Sequence, residues 1–200
     1  RFNVTDGSLV IAKRNVTLTS ATDSKVYDGT ALTNANVTVG GDGFATGEGA
    51  TYAVTGEVTN VAEGTVTNTF TYTLDANTKA DNYDITTTEG TLSITPVEDE
   101  VVVTVTGNSD LAVKYDGTEH TVEGYTTQIS NPLYTEADIT FNGTATVEGT
   151  DAGTYPMGLV QANFTNNSDN FANVRFNVTD GSLVIAKRNV TLTSATDSKV

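Results

Sequence analysis

The chain has 200 residues, of which 25 are acidic and 10 basic, and its net charge is -15. That charge disfavours nucleic acid and anionic membranes as partners, and the absence of cysteine excludes disulfides and thiol chemistry. Apolar runs are too short to cross a bilayer, so direct membrane insertion is not expected either.

The first 26 residues recur without change as residues 175–200, at an offset of 174 residues. This identity indicates one full period of a tandem array followed by the start of the next copy. We therefore expect the chain to be a piece of a longer repetitive protein. Because arrays of this kind are usually built to span distance, we look for function in spacing and surface before a catalytic pocket.

A weaker repeat lies inside the long one, since the Tyr-Asp-Gly-Thr at residues 27–30 returns at residues 115–118. We interpret it as two related domains, A and B, in alternation. The predicted boundaries place the last strands of a preceding B-type repeat at 1–13, an A-type domain at 14–96, a B-type domain at 97–187 and the first strand of the next A at 188–200. We expect both domains to be complete and both ends to hang free or pair with a neighbouring chain.

In chain order, alternation of apolar and polar residues predicts strands, and Gly-containing pairs predict the turns between them. Single helical turns are expected near residues 75–80 and 134–137, with no long helix. The predicted fold is all-β, with six to eight short strands in each of two small domains stacked end to end. Each domain is expected to be an Ig-like β-sandwich or, alternatively, a β-grasp-like sheet. The clearest strand patterns fall at residues 16–19, 69–74, 91–95, 101–106, 176–178 and 183–185.

Two sets of residues are predicted to determine this fold. The first forms the turn of each domain, in which Gly supplies a positive φ and the Tyr ring packs below. Its members are Tyr27, Asp28, Gly29, Tyr115, Asp116 and Gly117. The second set is expected to face inward from the strands as core. Its members are Phe70, Tyr72, Tyr83, Leu92, Ile94, Phe171, Leu183 and Ile185.

No residue is assigned to catalysis, to a cofactor or to a metal. Asp28, Asp116 and the acidic junction at 98–100 offer oxygen ligands for calcium, but an Asp before Gly is typical of a turn. His120 is the only histidine, and with no Cys to assist it we predict that the protein is not an enzyme. An isopeptide cross-link would need a buried lysine, whereas Lys13, Lys25, Lys114 and Lys187 are expected to be exposed.

The Tyr-Asp-Gly-Thr of each domain, the Asp-Ala-Gly-Thr-Tyr at 151–155 and the closing Gly-Thr/Ser-Leu-x-Ile carry a resemblance. Together they resemble the YDG and MBG type tandem repeats of bacterial cell-surface, adhesin-like proteins. Residues 61–66 of domain A depart from this pattern because they lack the tyrosine.

The resemblance implies a secreted, surface- or wall-attached protein in which these repeats form a stalk. The expected partners are neighbouring repeats in the same chain, within a monomeric rod that projects a distal binding domain. Two alternatives stay open: each repeat binds a host surface or glycan weakly and gains strength by multivalency, or the repeats associate with one another through strand edges.

Overall fold

A computed structural model describes residues 1–199 of the chain. The chain divides into two compact units, unit 1 at Arg1–Val97 and unit 2 at Glu98–Val200. The division falls one residue from the junction that the weaker repeat predicts. Strands dominate both units, and the helices of the described residues are single 3-10 turns of three residues each. The prediction of an all-β protein without long helices is therefore confirmed.

Unit 1 begins and ends with a pair of strands. Its eight strands are β1 (Arg14–Ser20), β2 (Asp23–Val26), β3 (Val37–Gly41), β4 (Ala50–Val54), β5 (Thr65–Asn68), β6 (Phe70–Leu74), β7 (Tyr83–Thr88) and β8 (Gly90–Thr95). Its 3-10 turns are Val61–Glu63 and Ala80–Asn82. The strands form three small sheets, in the orders β3-β1-β7, β2-β8-β5 and β4-β6.

Two apolar clusters hold unit 1 together. The first combines Val16 and Leu18 of β1 with Phe70 and Tyr83, so it joins the β3-β1-β7 sheet to the β4-β6 ladder. The second lies around β8. It contains Leu32, Val58, Leu92 and Ile94, with Tyr27, Val61 and Val66 packed against them. Burial of these side chains is the main stabilising contribution, because the unit has no disulfide.

Unit 2 repeats this plan with additional strands. Its ten strands are β9 (Val101–Gly107), β10 (Ser109–Lys114), β11 (His120–Glu123), β12 (Tyr125–Ile129), β13 (Ile139–Phe141), β14 (Thr146–Gly149), β15 (Gly153–Pro156), β16 (Phe164–Asn166), β17 (Val174–Thr179) and β18 (Ser182–Ala186). Its 3-10 turns are Glu136–Asp138 and Gln161–Asn163. The sheets have the orders β12-β9-β17, β10-β18-β15, β11-β14 and β13-β16. The first two correspond to the two three-stranded sheets of unit 1.

In each unit the first two strands run parallel to the last two. In unit 1, β1 pairs with β7 and β2 pairs with β8. In unit 2, β9 pairs with β17 and β10 pairs with β18, the latter with an irregularity between Asp110 and Val113. The other ladders between the described strands are antiparallel. The strands by which the chain enters each unit therefore run beside the strands by which it leaves, in the same direction: in unit 1 the entry at Arg14 lies beside Tyr83 and the exit at Thr95 lies beside Val26.

The exact repeat adopts two different structures. Residues 1–13 contain no strand and are exposed, whereas the same sequence at 175–187 supplies β17 and β18. Conversely, Arg14–Ser20 is β1, whereas residues 188–199 contain no strand. Leu9 is 89% exposed and its copy Leu183 is 0% exposed. Because the sequences are identical, partner strands rather than local propensity decide where these residues form a sheet. Val200, the last residue of the predicted 188–200 segment, lies outside the described residues.

Some sequence predictions were wrong in detail. Unit 2 has ten strands rather than six to eight, because short two-stranded ladders interrupt its loops. The helical turns expected at 75–80 and 134–137 lie further along, at Ala80–Asn82 and Glu136–Asp138. Tyr72 was expected in the core but is 37% exposed. It lies on β6 two residues after the buried Phe70, and the apolar cluster that covers Phe70 does not include Tyr72. Among the residues from 1 to 199, no helix is long and apolar enough to cross a bilayer.

Candidate functional site

The Tyr-Asp-Gly turn of unit 1 is built around one carboxylate oxygen. Asp28 Oδ1 accepts hydrogen bonds from the Thr30 amide at 2.9 Å, the Thr30 hydroxyl at 2.7 Å and Lys25 Nζ at 2.7 Å. Gly29 between them has φ 78°, which favours glycine. The Lys25 ammonium, followed by the Thr30 donors, lowers the pKa of Asp28 far below its ordinary value. This carboxylate closes a turn of the Asx type.

Unit 2 builds the same turn with a histidine in place of the lysine as the third partner of the carboxylate. Asp116 Oδ1 accepts from the Thr118 amide at 2.9 Å and from its hydroxyl at 2.7 Å, and His120 Nε2 lies 3.1 Å away. Gly117 has φ 83°. The Thr118 amide, then its hydroxyl and His120, lower the pKa of Asp116 from 3.8 to about 2. Because the threonine hydroxyl donates to the aspartate and not to the histidine, the three side chains do not form a nucleophile-base relay.

The two tyrosines of the turn motif differ in their surroundings. Tyr27 packs against the apolar cluster that contains Leu32, and its amide donates to the Thr95 carbonyl oxygen at 2.9 Å. Tyr115 makes the equivalent backbone bond to Ala186 at 2.9 Å, yet its side chain is 38% exposed. At the offset of 88 residues, His120 takes the place of Leu32 and turns toward Asp116. The predicted packing of the ring below the turn therefore describes Tyr27 better than Tyr115.

The predicted core residues other than Tyr72 are buried. They are Phe70, Tyr83, Leu92, Ile94, Phe171, Leu183 and Ile185. Tyr83 also has a polar role, since its hydroxyl donates to Glu48 Oε2 at 2.6 Å and accepts from the Ala45 amide at 3.0 Å. The Glu48 carboxylate raises the pKa of Tyr83.

An aromatic cluster in unit 2 was missed by sequence reasoning. Tyr125, Phe141, Phe164 and Phe176 lie with neighbouring ring centroids 4.9 to 6.0 Å apart. A second ring contact joins Tyr134 to the predicted core residue Phe171 at 5.1 Å. These aromatic residues come from separate strands and loops, so only the fold brings them together. In the sequence, only the alternation of these aromatic residues with polar neighbours indicated that they would face inward.

The acidic junction at 98–100 is engaged by unit 2. Glu100 forms a two-point ion pair with Arg175, at 3.0 and 3.1 Å, and the Glu98 carbonyl oxygen accepts from Asn173 Nδ2 at 2.8 Å. The Arg175 guanidinium lowers the pKa of Glu100. No group of three His, Cys, Asp or Glu side chains between residues 1 and 199 is placed to hold a metal ion.

Three of the four lysines considered for a cross-link are exposed as expected, whereas Lys25 is partly covered. Lys13 Nζ is 3.3 Å from Asp84 Oδ1, and the two side chains are 51% and 63% exposed. Lys25 is partly covered and faces Asp28, as described above. Lys114 and Lys187 are exposed. The structure therefore brings together each turn motif and the core, and it leaves the lysines apart from the buried carboxyl or amide groups that an isopeptide bond needs.

Comparison of the chain with protein-family models, with curated proteins and with solved structures gave no match.

The turn of unit 2 gives a testable pH dependence. A carboxyl whose pKa is lower in the folded state adds stability above its unfolded pKa and loses it as the pH falls through its folded value. For Asp116 that window runs from about pH 4 down to about 2. We expect Asp116→Asn to lower the thermal midpoint of unit 2 at pH 7 and to flatten its decline between pH 4 and 2.

Thermal unfolding of the full chain at a series of pH values measures this, and the transition that the substitution moves at pH 7 belongs to unit 2. The turn of unit 1 is the internal control, because Asp28 is unchanged in the variant and the stability of unit 1 should keep its dependence on acid. Parallel acid curves for wild type and variant would contradict a structural role for the Asp116 charge.

Proposed function

We propose that the chain is a set of non-catalytic stalk repeats from a bacterial surface adhesin of the YDG/MBG type. In this proposal the repeats act outside the cell, attached to its surface or wall, and hold a distal binding domain away from it. The mechanism is geometric, since the number of repeats sets the reach. The observation that carries the proposal is the shortness of the connectors between units that each have their own core.

The connectors follow from combining the two copies of the repeated segment. Strand β18 ends at Ala186, and the sequence from Arg188 onward repeats that from Arg14, where β1 begins. In a continuing array, Lys187 would be the single residue between the last strand of a B-type repeat and the first strand of the next A. The A-to-B connector is the five residues 96–100 between β8 and β9, and Pro96 restricts its backbone. Connectors this short allow little bending.

The contacts of the titratable side chains also support a structural role for the repeats. Asp28 and Asp116 close turns, Glu100 binds Arg175, and Tyr83 binds Glu48. Each of these groups serves the fold of its own unit. The net charge of -15 adds repulsion between neighbouring copies, which favours separate chains at a crowded surface.

The proposal is tested by the size of chains that contain one, two and three 174-residue periods. Small-angle X-ray scattering should show a maximum dimension that grows in equal steps of a few nanometres per domain. The matched control carries a flexible Gly/Ser linker of about ten residues in place of residues 96–100, which should make the growth less than linear.

Two results would contradict the stalk function. One is growth of the natural array that matches the flexible-linker control. The other is glycan binding by a single period that depends on Tyr115 or Tyr72, whose side chains are both more than a third exposed. The second result would favour the competing function, in which each repeat is itself a weak ligand-binding module.

A further inference from the structure

The parallel ladders between the first and last strands give each unit a specific response to tension. In unit 1 six residue pairs join β1 to β7, from Arg14 with Tyr83 to Thr19 with Thr88. Four more join β2 to β8, from Asp23 with Leu92 to Val26 with Thr95. The segment by which the chain enters the unit thus lies beside the segment by which it leaves, in the same direction.

Tension on the chain acts in opposite directions on these two segments. It draws β1 and β2 back toward the N-terminal side, and it draws β7 and β8 forward toward the C-terminal side. Because the strands are parallel, these forces slide one segment along the other, and the hydrogen bonds of the ladders are loaded together. In an antiparallel hairpin pulled from its open end, the bonds would instead be loaded one after another.

One strand of each ladder carries buried side chains, whereas its partner, β7 or β2, is mostly exposed or half-buried. Val16 and Leu18 on β1, and Leu92 and Ile94 on β8, are among the most buried side chains of unit 1. The buried Ser20 hydroxyl also accepts from the Gly90 amide at 2.9 Å and donates to the Asn68 carbonyl oxygen at 2.6 Å. Hydrogen bonds in such surroundings are stronger than in water and are less readily replaced by it.

Unit 2 has the same arrangement with different side chains. Strand β9 pairs with β17 over six residue pairs, and β10 pairs with β18. Ser109 Oγ accepts from the Ser182 amide at 3.0 Å, and the equivalent bond in unit 1 runs from the Thr91 amide to Thr22 Oγ1 at 3.1 Å. The ion pair between Glu100 and Arg175 joins the chain just before β9 to β17. The two units share little sequence in these strands, so the parallel ladders follow from their common strand order and not from particular side chains.

We propose that each unit is a load-bearing module, and that the parallel ladders joining its first and last strands resist its unfolding under tension. This inference goes beyond the role of spacer, because a spacer needs only to extend, whereas a module of this kind also keeps its length when the chain is pulled.

Single-molecule force spectroscopy on the full chain tests the proposal, and the absence of natural cysteine allows attachment at chosen residues. Ala12→Cys with Asp99→Cys pulls unit 1 along its parallel ladders. Thr51→Cys with Thr73→Cys pulls the same unit across one pair of the antiparallel β4-β6 ladder. All four residues are exposed, so both variants should keep the fold.

We expect the force that unfolds unit 1 to be at least about twofold higher for the Ala12–Asp99 attachment at the same loading rate. Equal forces, or a higher force for the Thr51–Thr73 attachment, would overturn the proposal. If the two variants have the same thermal midpoint without load, the difference in unfolding force comes from the direction of pulling and not from a difference in stability. The spacer function is judged by scattering alone, so an array that extends but yields at low force would overturn only the load-bearing proposal.

Discussion

Replacing Leu183 by Ala is expected to destabilise unit 2 by about 2–5 kcal/mol, while the same change at Leu9 alters the stability of either unit by less than about 0.5 kcal/mol. The two leucines occupy the same place in identical sequences. Leu183 is fully buried on β18, between β10 and β15, whereas Leu9 is 89% exposed in a segment without a strand. Truncation therefore leaves a cavity at one position and exposes nothing new at the other.

Urea unfolding of the two single variants and of wild type measures this difference. The comparison controls for chemistry, local sequence and net charge, because the substituted residue and its neighbours are the same. Similar losses from Leu9→Ala and Leu183→Ala would mean that residues 1–13 and 175–187 compete for one place beside β10 and β15.

Gly7 and Gly181 also occupy the same place in the two identical segments, but only Gly181 lies in close contact with another part of the backbone. Gly181→Ala is expected to cost about 3 kcal/mol, whereas Gly7→Ala should be close to neutral. A Cβ on Gly181 would press against the Asn108 carbonyl oxygen and lie 2.9 Å from the carbonyl carbon of Gly107, and these backbone atoms cannot move without disturbing the β9-β10 connection. A Cβ on Gly7 would meet no atom within 4 Å.

The measurement is again the unfolding free energy of the full chain, now with Gly90→Ala as a test of generality. In unit 1 a Cβ at Gly90 would press against the backbone of Ser20 and Ala21, so a comparable loss is expected there. A loss at Gly90 and none at Gly181 would show that the close approach in unit 2 can relax.

These glycines also show how far the sequence could be interpreted. The turns at Asp28-Gly29 and Asp116-Gly117 could be predicted from the local sequence, because Asp and Gly suit a turn with positive φ. Gly90 and Gly181 carry the same signal but are needed for close approach between backbones. That requirement depends on a chain segment about 70 residues away, and no local pattern contains it.

Alternation located strands well but could not assign their partners. The alternation correctly indicates which residues of β8 and β18 face the core, since Leu92 and Leu183 are buried. Tyr72 alternates in the same way, but the apolar cluster of unit 1 covers Phe70 on its strand and does not reach Tyr72. The parallel pairing of first and last strands was not predicted, because parallel and antiparallel partners place the same alternation on a strand.

The repeated segment has a consequence for inheritance. Each of its copies contributes different strands to the folded chain: the first supplies the opening strands β1 and β2 of unit 1, and the second supplies the closing strands β17 and β18 of unit 2. In the proposed array, a crossover between the coding stretches for these identical residues would add or remove 174 residues, and the join would again place the residues of β18 before those of β1. Each product of the proposed array would then keep every strand in the same sequence order relative to its partners. The length of such an array could change between generations without an intermediate form that fails to fold.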